Sequence, residues 1–190
     1  ASDDNGHGTQ VAYIAKSVAP GTELIVAKVL DVNGQGYESN VLEGLQYCIG
    51  QGADIISFSI GAGSYNGFCD SNIVAELANS AVSQGIFVAA AIGNDGTTSL
   101  KSPACASNVT RVSATDKQDA IASFSNVNEA VDVFAPGVGI NTKGIGGSVT
   151  TISGTSASVP FVSGAAALVL ENKSLTPLDL RYRLASTGKP

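Results

Sequence analysis

The sequence has little of what marks membrane proteins and nucleic-acid-binding proteins. No apolar run in its 190 residues approaches the roughly 20 residues that a transmembrane helix requires. Only 10 residues are lysine or arginine, against 16 aspartates and glutamates, and the formal net charge is −6. Since no basic cluster is available to neutralise phosphates, we expect neither a nucleic acid nor a membrane among its partners.

Charged residues are also scarce, at 14% of the chain, whereas 44% of the residues are hydrophobic and 22 are glycine. This composition favours a compact, loop-rich globular protein over a disordered one. Because neither a linker nor an internal repeat is found, residues 1–190 are predicted to form a single domain. The polar start at residues 1–4 does not resemble a signal peptide, which predicts a processed form or the loss of an upstream segment.

Apolar runs of strand length alternate with stretches of helical periodicity. The predicted strands are 24–30, 54–60, 86–92, 109–112 and 131–134. The predicted helices are 7–18, 41–49, 73–82 and 177–185, together with a buried helix that has Ser156 in its first turn and continues through the apolar run 161–170. The alternation indicates an α/β fold with an open, mostly parallel sheet and helices on both faces. Ligands on such a sheet bind at the carboxyl ends of the strands, which is where residues 59–62 and 93–94 fall.

A serine in the stretch 153–160 is a candidate nucleophile. A polar turn containing Gly154 leads into the apolar run 161–170, which places Ser156 in the first turn of a buried helix. Unpaired backbone N–H groups and the helix dipole stabilise negative charge at such a position. Taken alone, Ser156 is equally well explained as a helix cap.

Two other stretches carry the groups that a serine nucleophile lacks. His7, the only histidine, lies between two glycines at the start of a predicted helix, and Asn94 follows a buried strand. An imidazole can take the proton of a serine hydroxyl, and an amide can donate to an oxyanion. By themselves, His7 could be a capping residue and Asn94 an ordinary turn residue.

Taken in order, the stretches 5–10, 90–96 and 153–160 resemble the histidine, asparagine and Gly-Thr-Ser motifs of the subtilisin-like serine peptidases, the subtilases. The similarity runs through nearly the whole chain and is greatest to the branch that contains proteinase K. It implies a serine endopeptidase in which Ser156 is the nucleophile, His7 the general acid and base, and Asn94 the oxyanion donor.

The resemblance also implies that an extended peptide substrate binds along strand edges at residues 59–61 and 36–37. The main specificity pocket would lie between residues 59–62 and 90–93. The residues expected to bind substrate are Ser59, Ile60, Gly61, Ala62, Ala91, Gly93 and Gly36. We identify no charge at the base of this pocket, which suggests tolerance for apolar or aromatic side chains, although an ordinary buried strand has the same pattern.

One element of the family pattern is missing. The triad aspartate of subtilases lies in an apolar strand well upstream of the histidine, whereas only six residues precede His7, and Asp3 and Asp4 match polar residues of the substrate cleft. Either a separate N-terminal fragment of the same precursor supplies this strand and its aspartate, or the protein is a truncated relative. The rival function is an inactive pseudoprotease that binds peptides or a propeptide. An α/β esterase is disfavoured because residues 154–158 lack the second glycine of a Gly-x-Ser-x-Gly elbow.

Further expectations concern the cysteines, one proline and calcium. The resemblance implies a disulfide between Cys69 and Cys105, and hence a secreted protein. Cys48 lies in an apolar helical stretch and is predicted from this pattern to be a buried free thiol. The Ser102–Pro103 bond matches a cis proline of the family. No cofactor is expected for catalysis, and the family's tight calcium loop is absent. Structural Ca²⁺ cannot be assigned to the loop acids Asp70, Asp95 and Asp116, which are equally well explained as solvated carboxylates.

Overall fold

A computed structural model describes residues 2–172 and 174–189. The five helices are α1 (His7–Val18), α2 (Glu38–Gly50), α3 (Ile73–Ser83), α4 (Thr155–Leu170) and α5 (Pro177–Thr187). The strands are β1 (Ile55–Phe58), β2 (Ala62–Tyr65), β3 (Phe87–Ala91), β4 (Leu100–Ser102), β5 (Thr110–Thr115), β6 (Val133–Pro136), β7 (Ile140–Lys143) and β8 (Val149–Ile152). A short 3-10 helix, Ile145–Gly147, lies between β7 and β8.

The central sheet is parallel and has the strand order β1-β3-β5-β6. Its helices cover both faces, as predicted. Side chains of β3 alternate between two apolar clusters: Phe87 and Ala89 face the side of α4 and α5, while Val88 and Ala90 face the side of α2 and α3. Since β3 is buried on both faces, its sequence is an unbroken apolar run.

Helix α1 packs closely against the buried helix α4. A Cβ atom at Gly164 would lie 2.6 Å from Cβ of Val18, so only glycine allows the two helices to approach this closely. Helix α1 ends before Pro20, as its periodicity predicts. The contact fixes the helix that begins at His7 against the helix that contains Ser156.

The strand predicted at 24–30 is wrong. Residues 24–30 form no strand, and Leu24, Ile25 and Val26 are 46%, 38% and 56% exposed. A strand requires a hydrogen-bonded neighbour, and β1 pairs only with β3 among the described residues. Segment 24–30 and residues 53–60 instead line a groove of about 1200 Å³, which we call the β1 groove.

Four short strands were not predicted. They form two antiparallel pairs, β2 with β4 and β7 with β8. Their sequences are polar or rich in glycine, so the apolar pattern does not reveal them. The last helix, predicted as a packing element, buries Leu180 completely but leaves Leu178 and Tyr182 exposed.

The predicted disulfide is present, whereas Cys48 is less buried than predicted. Cys69 and Cys105 form a disulfide, with 5.3 Å between their Cα atoms. Cys48 is free and half-buried, and burial raises the pKa of its thiol. The disulfide links residues 36 positions apart, a loop for which chain entropy predicts a stabilisation of roughly 3–4 kcal/mol. The Ser102–Pro103 bond is cis, and none of the described helices is long and apolar enough to cross a membrane.

Candidate active site

Ser156 is the second residue of α4, in the first turn of the helix, as predicted. Its backbone carbonyl would normally accept a hydrogen bond from the N–H four residues later, but that residue is Pro160, which has no N–H. The hydroxyl of Ser59 donates to this carbonyl instead, over 2.9 Å. The proline in the motif therefore allows a residue beyond the end of β1 to hold the backbone of Ser156.

The Asn94 side chain is held at the N-terminus of α4. Its Oδ1 accepts hydrogen bonds from the Thr155 N–H at 2.8 Å and from the Thr155 hydroxyl at 2.9 Å. Since both bonds use the oxygen, the Nδ2 amide remains able to donate elsewhere. The neighbouring Thr155 thus fixes the orientation of the amide.

Asn94 and Ser156 border the same small space beside Gly154. A Cβ atom at Gly154 would lie 3.1 Å from Oγ of Ser156 and 3.3 Å from Nδ2 of Asn94. The backbone of Gly154 has φ +149°, a value that side-chain-bearing residues rarely adopt. Glycine therefore keeps the space between the hydroxyl and the amide open.

His7 is the first residue of α1 and is half-buried. Burial lowers the pKa of its imidazole, and the charge of Asp3 acts in the opposite direction. The side chain is therefore neutral at pH 7 and able to accept a proton. His7 and Ser59 both line the β1 groove, and the Ser59 hydroxyl donates to the backbone carbonyl of Ser156.

Asp3 is not placed to orient His7 as a triad aspartate would. Its carboxylate accepts from the backbone N–H groups of Asn5, Gly6 and Thr9 and from the Thr9 hydroxyl at 2.6 Å. Burial acts to raise the pKa of Asp3, but these hydrogen bonds outweigh it and lower the pKa well below its ordinary value. No carboxylate among residues 2–172 and 174–189 hydrogen-bonds the imidazole. An aspartate just before a helix is a start signal that sequence reasoning could have used for Asp3.

The segments that were predicted to bind substrate as strand edges do not form strands. Residues 59–61 connect β1 to β2 without belonging to either, and residues 36–37 lie in no strand. A Cβ atom at Gly36 would lie 2.2 Å from the carbonyl oxygen of Val29, so Gly36 is needed for close packing. Of the other expected substrate residues, Ser59, Ile60 and Gly61 follow the carboxyl end of β1, and Ala62 begins β2. Ala91 and Gly93 lie at the carboxyl end of β3.

Lys101 lies against both segments that are expected to form the walls of the specificity pocket, and this charge was not identified from the sequence. A Cβ atom at Gly61 would lie 2.8 Å from Cβ of Lys101, and one at Gly93 would lie 2.9 Å from Cγ of Lys101. The ammonium group forms an ion pair with Asp95 at 2.8 Å. Lys101 lies in a short strand between two loops, and its sequence position gives no sign of this placement.

In the part of the chain that the structure describes, no group of three or more His, Cys, Asp or Glu side chains could hold a metal ion. The loop acids are engaged within the protein. Asp70 binds Asn79 and Ser107, Asp95 binds Lys101 and Asn126, and Asp116 accepts from two backbone N–H groups of its own turn. Structural calcium remains an unassigned prediction.

Comparison with known proteins decides the family. The sequence matches the Subtilase family over residues 1–189. This chain belongs to the subtilases. It is 36% identical to Subtilisin BL from Lederbergia lenta over 196 residues, covering 98% of this chain and 71% of that protein. It is 39% identical to Subtilisin-like protease 2 from Pseudogymnoascus destructans, of which it covers 48%.

Solved structures agree with this assignment. A cold adapted subtilisin-like serine proteinase superposes with a TM-score of 0.87 at 35% identity, covering 97% of this chain and 68% of that one. The subtilase fold predicted from the motifs is therefore confirmed. The family is one of serine endopeptidases, which are hydrolases.

Proposed function

We propose that this subtilase chain is the larger part of a serine endopeptidase, and that an aspartate from a segment outside residues 1–190 completes its triad. The observation that carries the proposal is the space beside Gly154, where the Ser156 hydroxyl and the Asn94 amide converge at the N-terminus of α4. A hydroxyl and a donor at one point are what acyl transfer requires.

In the proposed reaction, Oγ of Ser156 attacks the carbonyl carbon of the scissile peptide bond while His7 takes the hydroxyl proton. The C–N bond then breaks, and the imidazolium returns its proton to the leaving amine. Water, deprotonated by His7, hydrolyses the acyl ester and restores the Ser156 hydroxyl. The lowered pKa of His7 keeps the imidazole in the neutral form that both steps need.

Charge on the tetrahedral intermediate would be stabilised from two directions. Asn94 would donate through Nδ2, which its Thr155 contacts leave free, and Ser156 would donate through its backbone N–H. The positive end of the α4 dipole adds to both, because Ser156 lies in the first turn.

The β1 groove supports a site for the missing aspartate. Beside β1, residues 24–30 and 53–60 line it with aliphatic side chains and with the unpaired strand edge. An extended apolar segment that paired with β1 would satisfy this backbone and cover Leu24, Ile25 and Val26. If it ran parallel to β1, it would end near Ser59, which follows β1 and lines the groove together with His7. An aspartate at that end would orient the imidazole.

One observation favours the rival function. Among the described residues, no carboxylate hydrogen-bonds His7, since Asp3 is engaged by Thr9 and the backbone. A chain that never gains an aspartate would be a pseudoprotease that holds a peptide in the same cleft. The disulfide fits an oxidising setting for either function, and we propose that the protein is extracellular.

Mass spectrometry of the purified protein, first native and then denatured, tests the proposal. We expect the native species to release a second, small polypeptide on denaturation, and the sequence of that polypeptide to contain the aspartate. A fluorophosphonate probe should then label Ser156 in the native protein, and a Ser156→Ala variant should remain unlabelled. A single species that resists labelling would support the pseudoprotease instead.

The pH dependence of activity gives a second test, through Asp3. We expect kcat/KM to rise with pH as His7 loses its proton and becomes able to act as the base. Asp3→Asn removes a negative charge that favours the imidazolium, so the midpoint of this rise should fall. Asp4→Asn is the matched control, since exposed Asp4 pairs with Lys28. A midpoint that rises in Asp3→Asn would contradict the assignment of His7 as the base.

A further inference from the structure

Two segments, 59–62 and 90–93, lie next to the reacting groups of the proposed peptidase site. Ser59 binds the carbonyl of Ser156, and Gly61 follows two positions later; Asn94 follows Gly93 directly. The segments 59–62 and 90–93 therefore both extend from the reacting groups. A side chain on the acyl side of the scissile bond would enter the space that these segments border.

The stem of Lys101 lies in this space. Lys101 is the central residue of β4, which pairs antiparallel with β2, and its backbone N–H donates to Ile92. Cβ of Lys101 packs against Gly61, and Cγ packs against Gly93. Any side chain at either glycine would collide with this stem. Both walls are thus shaped around the lysine.

The charges of the pair are not equally accessible. The Lys101 side chain is 22% exposed, whereas that of Asp95 is 46% exposed and lies in the loop that follows β3. Oδ2 of Asp95, the oxygen that pairs with Lys101, also accepts a hydrogen bond from Asn126 at 3.2 Å. An ammonium has three donors, and Asp95 is the one carboxylate among the described residues that pairs with it. Donor capacity toward a ligand therefore remains on the lysine.

We propose that Lys101 sets the specificity of this peptidase, selecting an acidic side chain, glutamate above all, on the acyl side of the scissile bond. This inference rests on the proposed function. The ammonium would donate a charge-assisted hydrogen bond to the carboxylate of the substrate. A basic side chain would meet a like charge, and an aromatic one would compete with the lysine stem for space and desolvate the ion pair.

Peptide p-nitroanilides that differ only in this residue test the proposal on the complete enzyme. We expect kcat/KM for glutamate to exceed that for glutamine about 10-fold, and lysine to be the poorest of the series. Because the two side chains are nearly equal in size, the ratio of glutamate to glutamine isolates the charge. High ionic strength should reduce the ratio of kcat/KM for glutamate to that for glutamine, because salt screens the charges.

Variants separate charge from volume. Lys101→Met keeps the stem and should bring the glutamate to glutamine ratio close to one, whereas Lys101→Ala should also improve hydrolysis of the phenylalanine substrate. Asp95→Asn should raise the ratio, since it removes the competing carboxylate. Lys117→Met, which removes the same charge from an exposed turn, should leave the ratio unchanged.

Labelling with a fluorophosphonate that carries no peptide side chain distinguishes failure of the inference from failure of the proposed function. Suppose that Ser156 is labelled in every variant. If the ratio of kcat/KM for glutamate to that for glutamine is one in the parent enzyme, or is unchanged in Lys101→Met, then Lys101 does not set specificity. If Ser156 is not labelled in the parent enzyme, the proposed function fails and this inference fails with it.

Discussion

His7→Ala is expected to lower kcat about a million-fold, a magnitude measured for the same kind of change in a subtilisin. Without the imidazole, the Ser156 hydroxyl would keep its proton at neutral pH and attack poorly. Ser156→Ala should cost about as much. Single-turnover and steady-state hydrolysis of one peptide substrate by the complete enzyme measures both losses.

The double variant shows whether His7 and Ser156 act as a unit. If they do, removal of both should cost no more than removal of either, which is far from additive. Additive losses would mean that the two residues contribute separately, and the nucleophile assignment would then fail. Gln46→Ala, a change on the outer surface of α2, is the control and should keep the activity of the parent enzyme.

Asn94→Ala is expected to reduce kcat by roughly 100- to 1000-fold with little change in KM, the effect measured when the equivalent kind of donor is removed from a subtilisin. The amide would act on charge that develops only in the transition state, so substrate binding should be spared. The two parameters are measured separately on a substrate that saturates the enzyme.

Two control variants separate donation from structure. Asn66→Ala removes an exposed amide elsewhere and should leave both parameters unchanged. Thr155→Val removes the hydroxyl that binds Oδ1 of Asn94 but keeps the backbone bond, so its effect on kcat should be smaller than that of Asn94→Ala. A loss confined to KM in Asn94→Ala would argue against an oxyanion role.

The motifs in the sequence correctly indicated the subtilase fold and the positions of Ser156 and His7 at the starts of helices. Strand 86–92 and helix 73–82 were predictable because burial on one or both faces leaves a periodic pattern. Segment 24–30 shows the limit of that reasoning. It carries the pattern of a buried strand, but strand formation depends on a neighbour, and β1 is separated from it by a groove.

Contacts between residues far apart in the chain could not be predicted from the sequence. Lys101 appears in a loop-like stretch, yet its stem lies between Gly61 and Gly93, which are 40 and 8 positions away. The hydrogen bond from Ser59 to Ser156 was not predicted from the sequence either. Pro160 could have indicated it, because a proline in a helix leaves the carbonyl four residues earlier without its usual donor.

The open edge of β1 also bears on how this chain behaves alone in concentrated solution. Unpaired strand edges beside exposed aliphatic side chains attract other chains. Since Leu24 and Val26 are exposed across the groove from that edge, self-association would increase with protein concentration. A segment that fills the groove would thus keep the protein soluble as well as supply chemistry, and the aggregation state would report how completely the groove is filled.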